Sequence, residues 1–151
     1  MTKRITAVLA TLLLALAGLA LTAAPAQAAP VTICKTSPVP AGYVILAEGR
    51  STQCSFGFPN TWLIDRPAER GTTTVCKVSS IPDGYVILAE DRSTQCPYAF
   101  PNTWRIAKPS ATGTTTICMV SPIPAGYVVV SEGRSTQCPY AFPNTVQIRA
   151  L

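Results

Sequence analysis

Thr74-Val-Cys-Lys-Val-Ser-Ser-Ile-Pro-Asp-Gly-Tyr-Val-Ile-Leu-Ala-Glu90 has two close variants in the same chain. They are Thr32-Ile-Cys-Lys-Thr-Ser-Pro-Val-Pro-Ala-Gly-Tyr-Val-Ile-Leu-Ala-Glu48 and Thr116-Ile-Cys-Met-Val-Ser-Pro-Ile-Pro-Ala-Gly-Tyr-Val-Val-Val-Ser-Glu132. Each line runs on through Arg-Ser-Thr-Gln-Cys to Phe-Pro-Asn-Thr and a last Ile, at Ile64, Ile106 and Ile148. Cysteines 34, 76 and 118 recur every 42 residues, and 54, 96 and 138 keep the same step. A fixed period of this size marks a repeat architecture. The text divides into repeat 1 (29–64), a linker (65–72), repeat 2 (73–106), a second linker (107–114) and repeat 3 (115–151). Both linkers are polar, carry Pro and Gly, and differ from each other, as exposed loops do.

Within a unit every structural signal is β. Tyr43-Val-Ile-Leu-Ala47 and its counterparts from Tyr85 and Tyr127 are short apolar runs rich in β-branched residues. The preceding Pro40-Ala-Gly42, Pro82-Asp-Gly84 and Pro124-Ala-Gly126 suit a type I turn with Pro at i+1 and Gly at i+3. Two further strands are expected, at Thr32–Cys34 and at Thr61–Ile64, with equivalents in the other copies. About 35 residues bury too little apolar surface to fold alone, so a staple is required. Six cysteines allow 15 pairings. The repeat favours Cys34–Cys54, Cys76–Cys96 and Cys118–Cys138 over the staggered set Cys54–Cys76, Cys96–Cys118 and Cys34–Cys138. Each within-unit bond is worth roughly 3 kcal/mol on the chain-entropy model. The fold class is therefore all-β: three tandem disulfide-stapled units, short three-strand meanders, strung as beads on a chain or stacked. The alternative is a closed threefold domain of β-trefoil type, suggested weakly by Trp62 and Trp104 following a Gln. The spacing from Gln53 is too long, however, and unit 3 has Val146 there.

The first 28 residues read as a secretory signal peptide: Lys3 and Arg4, an apolar stretch from Ile5 to Leu21, then small residues around Ala26-Gln-Ala28. The expected location is extracellular, with no membrane span once the signal is removed. Of the 12 basic residues the leader takes Lys3 and Arg4, leaving 10 against 7 acidic, a net of +3. These charges are scattered singly, which speaks against nucleic acid. The Ala/Leu-rich leader ending in Ala-Gln-Ala, joined to Cys…Pro-x-Gly-Tyr-Val…Cys…Asn-Thr repeats, resembles small secreted Cys-repeat proteins of high-GC Gram-positive (actinobacterial-type) bacteria. That resemblance implies source and export and carries no activity.

Catalytic chemistry has little to work with. The chain has no histidine, which removes Ser-His-Asp and Cys-His arrangements. The cysteine spacing is no zinc pattern, no glycine-rich phosphate loop follows a strand, and of the acids only Glu48, Glu90 and Glu132 recur. No enzyme activity, cofactor or metal is expected. The candidate ligand-binding residues lie on the repeated Glu-x-Arg-Ser-Thr-Gln-Cys loop: Glu48, Arg50 and Gln53; Glu90, Arg92 and Gln95; Glu132, Arg134 and Gln137. Arg, Gln and Glu on a stapled loop offer planar donors and acceptors to a sugar or carboxylate, met three times over. The competing reading makes them scaffold, with Arg paired to Glu, Ser and Thr closing the turn, and Gln capping a strand edge. Tyr43, Tyr85, Tyr127, Phe58, Phe100 and Phe142 read as core; Asn60, Asn102 and Asn144 read as turn residues. The leading expectation is a secreted, non-enzymatic, multivalent binding module for a glycan or cell-envelope polymer. A structural surface-coat protein, its repeats contacting each other or another surface protein, comes second, and a secreted inhibitor or antimicrobial third.

Overall fold

The computed structural model describes residues 29–55 and 57–151, so the signal peptide at 1–28 lies outside the described residues. Unit 1 contains β1 (Val31–Cys34), β2 (Val44–Gly49) and β3 (Thr61–Asp65). Unit 2 contains β4 (Thr73–Cys76), β5 (Val86–Asp91) and β6 (Thr103–Ala107). Unit 3 contains β7 (Thr114–Cys118), β8 (Tyr127–Gly133) and β9 (Thr145–Ala150). No helix occurs among the described residues. Each unit forms its own three-stranded antiparallel sheet, closed by the within-unit disulfides Cys34–Cys54, Cys76–Cys96 and Cys118–Cys138.

Two details depart from the sequence reading. The strand order is β1-β3-β2, and likewise β4-β6-β5 and β7-β9-β8, so the last strand of each unit is central and the sheet is not a sequential meander. The tight turn also shifts by one residue. Tyr43 N–H donates to Pro40 O at 3.1 Å, which puts Gly42 at i+2 with φ of +79°. A type II turn needs a positive φ at that place, and glycine adopts it without steric cost.

The units are not independent beads. β2 packs against β4 and β5 against β7, while β8 touches no strand of unit 1. The stack is thus linear and the closed trefoil is excluded. One buried cluster draws Val44 from unit 1, Val75, Ile87 and Ile106 from unit 2, and Cys118 and Cys138 from unit 3. Another sets Ile45 and Ile64 of unit 1 on Cys76 and Cys96 of unit 2. A stapled unit of this size gains most by burying its disulfide against a neighbour's sheet. Cys76 and Cys118 are accordingly 0% exposed, whereas Cys34 and Cys54, which no other described unit covers, stay half-buried. The linkers are docked rather than loose. Tyr85 Oη donates to Pro67 O (3.1 Å) and Ala68 O (3.2 Å), Tyr127 Oη donates to Ser110 O (3.1 Å), and Lys108 pairs with Glu69 across the two linkers.

Hydrogen bonds complete each joint at an otherwise open strand edge. Ile45 N–H donates to Ser79 Oγ at 3.0 Å and Glu48 N–H to Gln95 O at 2.7 Å. The next joint repeats them: Ile87 N–H to Ser121 Oγ at 2.8 Å and Glu90 N–H to Gln137 O at 2.7 Å. In a regular strand, amides three residues apart point to opposite edges. A bulge between Ile45 and Ala47, matched between Ile87 and Ala89, adds one residue and turns both amides outward. Ser79→Ala should leave the Ile45 N–H buried without an acceptor and cost about 1–3 kcal/mol. Ser37→Ala, the same change at a position that is exposed and covered by no other described unit, should leave the denaturation midpoint where it is. Urea titration of the two variants side by side reads the difference.

Candidate functional site

Six of the nine candidate loop residues go to three different places, while Gln53, Arg92 and Glu132 are exposed. Glu48 and Glu90 turn back onto the sheet. Lys35 Nζ meets Glu48 Oε2 at 2.8 Å and lies 4.0 Å from the centre of the Trp62 ring; Lys77 meets Glu90 at 2.7 Å and lies 4.1 Å from Trp104. Glu48 stands directly opposite Trp62, and Glu90 opposite Trp104, in the antiparallel register. The stack is therefore a cross-strand device, in which an ammonium is held between a carboxylate and an indole face. In unit 3 Met119 replaces the lysine and Val146 the tryptophan, and Glu132 is exposed. The two partners of the glutamate are thus both replaced in unit 3 and both present in units 1 and 2.

Gln95 and Gln137 serve the joints, their carbonyls accepting from Glu48 and Glu90 N–H. Besides the carbonyls of Gln95 and Gln137, Gln137 Oε1 accepts from Arg105 Nη2 at 3.3 Å. The turn itself is closed by serine: Gln53, Gln95 and Gln137 N–H each donate to the Oγ of the serine two residues earlier at 3.1 Å. The arginines do not pair with the neighbouring glutamates. Arg50 and Arg134 instead place their guanidinium carbons 5.9 Å from the centres of the Phe58 and Phe142 rings.

Those phenylalanines correct the expectation of core packing. Phe58, Phe100 and Phe142 are about half exposed, and Tyr98 and Tyr140 are 79% and 81% exposed. Two aromatic side chains stand out from the same loop in units 2 and 3. The loop is held from below by an asparagine that the sequence marked only as a turn residue. Asn102 is 2% exposed. Its Oδ1 accepts from Ser93 N–H (3.0 Å), and its Nδ2 donates to Ser93 O and Cys96 O (both 2.9 Å) and reaches Tyr98 O (3.4 Å). Asn144 repeats the pattern from Ser135 to Tyr140, and Asn60 ties Ser51 to Cys54. Only a primary amide offers the acceptor and the paired donors together. Above this anchor Tyr98 and Tyr140 both sit at φ of 73°, a region that bulky residues rarely enter. A solvent-facing tyrosine in this uncommon backbone region thus recurs at the same place in units 2 and 3.

A second feature lies at the first joint. A cavity of about 500 Å³ is bordered by Arg66, Glu69, Asp83, Tyr85 and Lys108. Burial and the nearby Glu69 carboxylate raise the Tyr85 phenol above its ordinary value, and the hydrogen bond to Glu69 raises Lys108. These groups tie the two linkers together, and the arrangement does not recur in each unit. Among the described residues no group of His, Cys, Asp and Glu is placed to hold a metal ion. Comparisons with protein-family models, curated proteins and solved structures find no match for the chain.

Proposed function

We propose that the chain is an exported, multivalent binding protein for a glycan or cell-envelope polymer. The reading comes from the row of exposed aromatic side chains, one loop per unit, that the buried asparagines fix. Rigid aromatic faces flanked by guanidinium groups suit the flat, weakly polar faces of sugar rings, and they lose little side-chain entropy on binding. Of the loop residues singled out in the sequence, Arg50 and Arg134 stand beside this surface, whereas Glu48, Glu90, Gln95 and Gln137 are engaged on the sheets and at the joints. Export is inferred from the charged, apolar, small-residue order of residues 1–28. It is consistent with three disulfides and with the absence, among the described residues, of a helix long and apolar enough to cross a membrane. The source in high-GC Gram-positive bacteria stays part of the same proposal. A surface-coat role draws on one separate observation, the open ends of the stack.

The reading is tested by co-sedimentation with purified cell-wall sacculi and by a polysaccharide array. The double variant Tyr98→Ala/Tyr140→Ala should lose on the order of 10²-fold in apparent affinity, because a multivalent binder loses more than each site's share. Its unfolding midpoint should stay within a degree or two, about what a change under 0.5 kcal/mol gives at an exposed position. Arg50, Arg92 and Arg134 changed together to Ala should weaken binding in the same assay. Retention of binding by both variants sinks the proposal.

A further inference from the structure

The two internal joints define a lock with two halves, and the stack ends in one unmatched half on each side. At the far end, β8 carries Val129 at 46% exposure, where the matching Ile45 and Ile87 are 5% and 3% exposed beneath the next unit, and Val130 at 42%, where the matching Leu46 and Leu88 are partly buried. Its bulge falls at the same place, between Val129 and Ser131. The amides of Val129 and Glu132 thus stand at the outer edge, where Ile45, Glu48, Ile87 and Glu90 meet the following unit. At the near end Ser37 and Gln53 are exposed and the Cys34–Cys54 bond is half-buried. Their equivalents Ser79 and Ser121 are 7% and 8% exposed and accept the edge amides of the unit before.

We infer that the chain associates head to tail with further copies of itself, the β8 edge of one copy docking on the Ser37–Gln53 face of the next. The occupant is a second copy because the contact continues, residue for residue, an interface the molecule already makes twice within itself. Val129 N–H meets the neighbour's Ser37 Oγ, Glu132 N–H meets its Gln53 carbonyl, and the valines cover its Cys34–Cys54 bond. A heterologous contact of this kind leaves one open half at each end of every assembly and grows as a filament. An uncovered edge strand is otherwise a liability that proteins blunt with charge, proline or a cover. Here β8 carries Glu132 alone. Two exchanges set the strength. Ser131 stands where buried Ala47 and Ala89 stand, and Thr36 where the core-packed Val78 and Val120 stand. Both make the end joint more polar than the internal ones, so association is reversible and rises with concentration. The inference needs no ligand and is independent of the aromatic surface.

Sedimentation velocity on the chain recovered from the medium of an exporting host tests it, with two one-sided variants. Val129→Asp blocks the β8 edge and Ser37→Arg blocks the opposite face; both positions are exposed in the single molecule. The unaltered chain should show a mean mass that climbs with concentration without a fixed endpoint. Each variant alone should stay monomeric, since every contact needs one half of each kind. An equimolar mixture should double in mass and stop there, because the one working half of each variant is used in the pair and both remaining ends are blocked. Val130→Lys replaces Val129→Asp should that chain lose its circular dichroism. The inference is overturned if the unaltered chain stays monomeric to its solubility limit. It is also overturned if either variant alone still assembles, or if the mixture stays monomeric.

Discussion

Replacing Cys76 and Cys96 together with alanine is expected to destabilise the chain more than replacing Cys34 and Cys54, although the two loops have the same length. All three bonds join residues 20 apart, so the chain-entropy contribution is the same for each, about 3 kcal/mol. What differs is the surroundings. Cys76 and Cys96 are 0% and 6% exposed beneath Ile45 and Ile64 of the preceding unit, and Cys96 Sγ lies 3.7 Å from Leu46 O. Deleting those sulfurs opens a cavity inside the joint and adds about 1–2 kcal/mol, for a total near 5 kcal/mol. Cys118 and Cys138, equally buried under unit 2, should behave as the middle pair does. The half-buried first pair should cost only the entropic part. Guanidinium titrations of the three double variants give the ranking; equal losses would mean that the joints contribute nothing to the bond's worth.

The second large effect is expected at Asn102. Its side chain is buried and bonded to Ser93 at both backbone groups, to the Cys96 carbonyl, and onward to Pro97 and Tyr98. Alanine leaves the Ser93 N–H and the Cys96 carbonyl without this partner, while the Ser93 carbonyl keeps only the Cys96 N–H at 3.3 Å. At about 1–3 kcal/mol for each buried group left unsatisfied, the loss should reach roughly 3–4 kcal/mol once partial access of water is allowed for. Aspartate should be no better, because a carboxylate cannot donate to the carbonyls that the amide Nδ2 serves. Both variants should also lose polymer binding, since the strained Tyr98 backbone depends on that anchor. Thermal unfolding read beside sacculus binding checks it: intact binding with lowered stability would separate the anchor from the aromatic surface.

Most of the unit was legible in its text. The period of 42 fixes three copies, the β-branched runs fall on β2, β5 and β8, and the repeat symmetry picks the disulfide pairing that the structure has. The central position of β3 was not legible, because neighbours in sequence usually pair and nothing in Thr61–Asp65 says which strand it splits. The stacking left a trace that only hindsight weights properly. Val44-Ile-Leu-Ala47 is apolar at successive residues, whereas a strand with one wet face alternates. The edge strand of a lone unit has no use for two apolar faces; one covered by the next unit does. The site was half legible. The loop's polar residues were visible, but their division among sheet, joint and surface depends on the bulge and on the cross-strand register. The exposed phenylalanines were masked by their own hydrophobicity, and the informative sign was their place between a cysteine and a proline in a loop.

The joint between units is tested most directly by amide hydrogen exchange in dilute solution. Ile45, Glu48, Ile87 and Glu90 should be protected by their bonds to the following unit, and Val129 and Glu132, in the same places on β8, should exchange at rates near those of exposed loops. Slow exchange at all six would place a cover over β8 that the linear stack does not have. Fast exchange at all six would mean that the units do not dock at all.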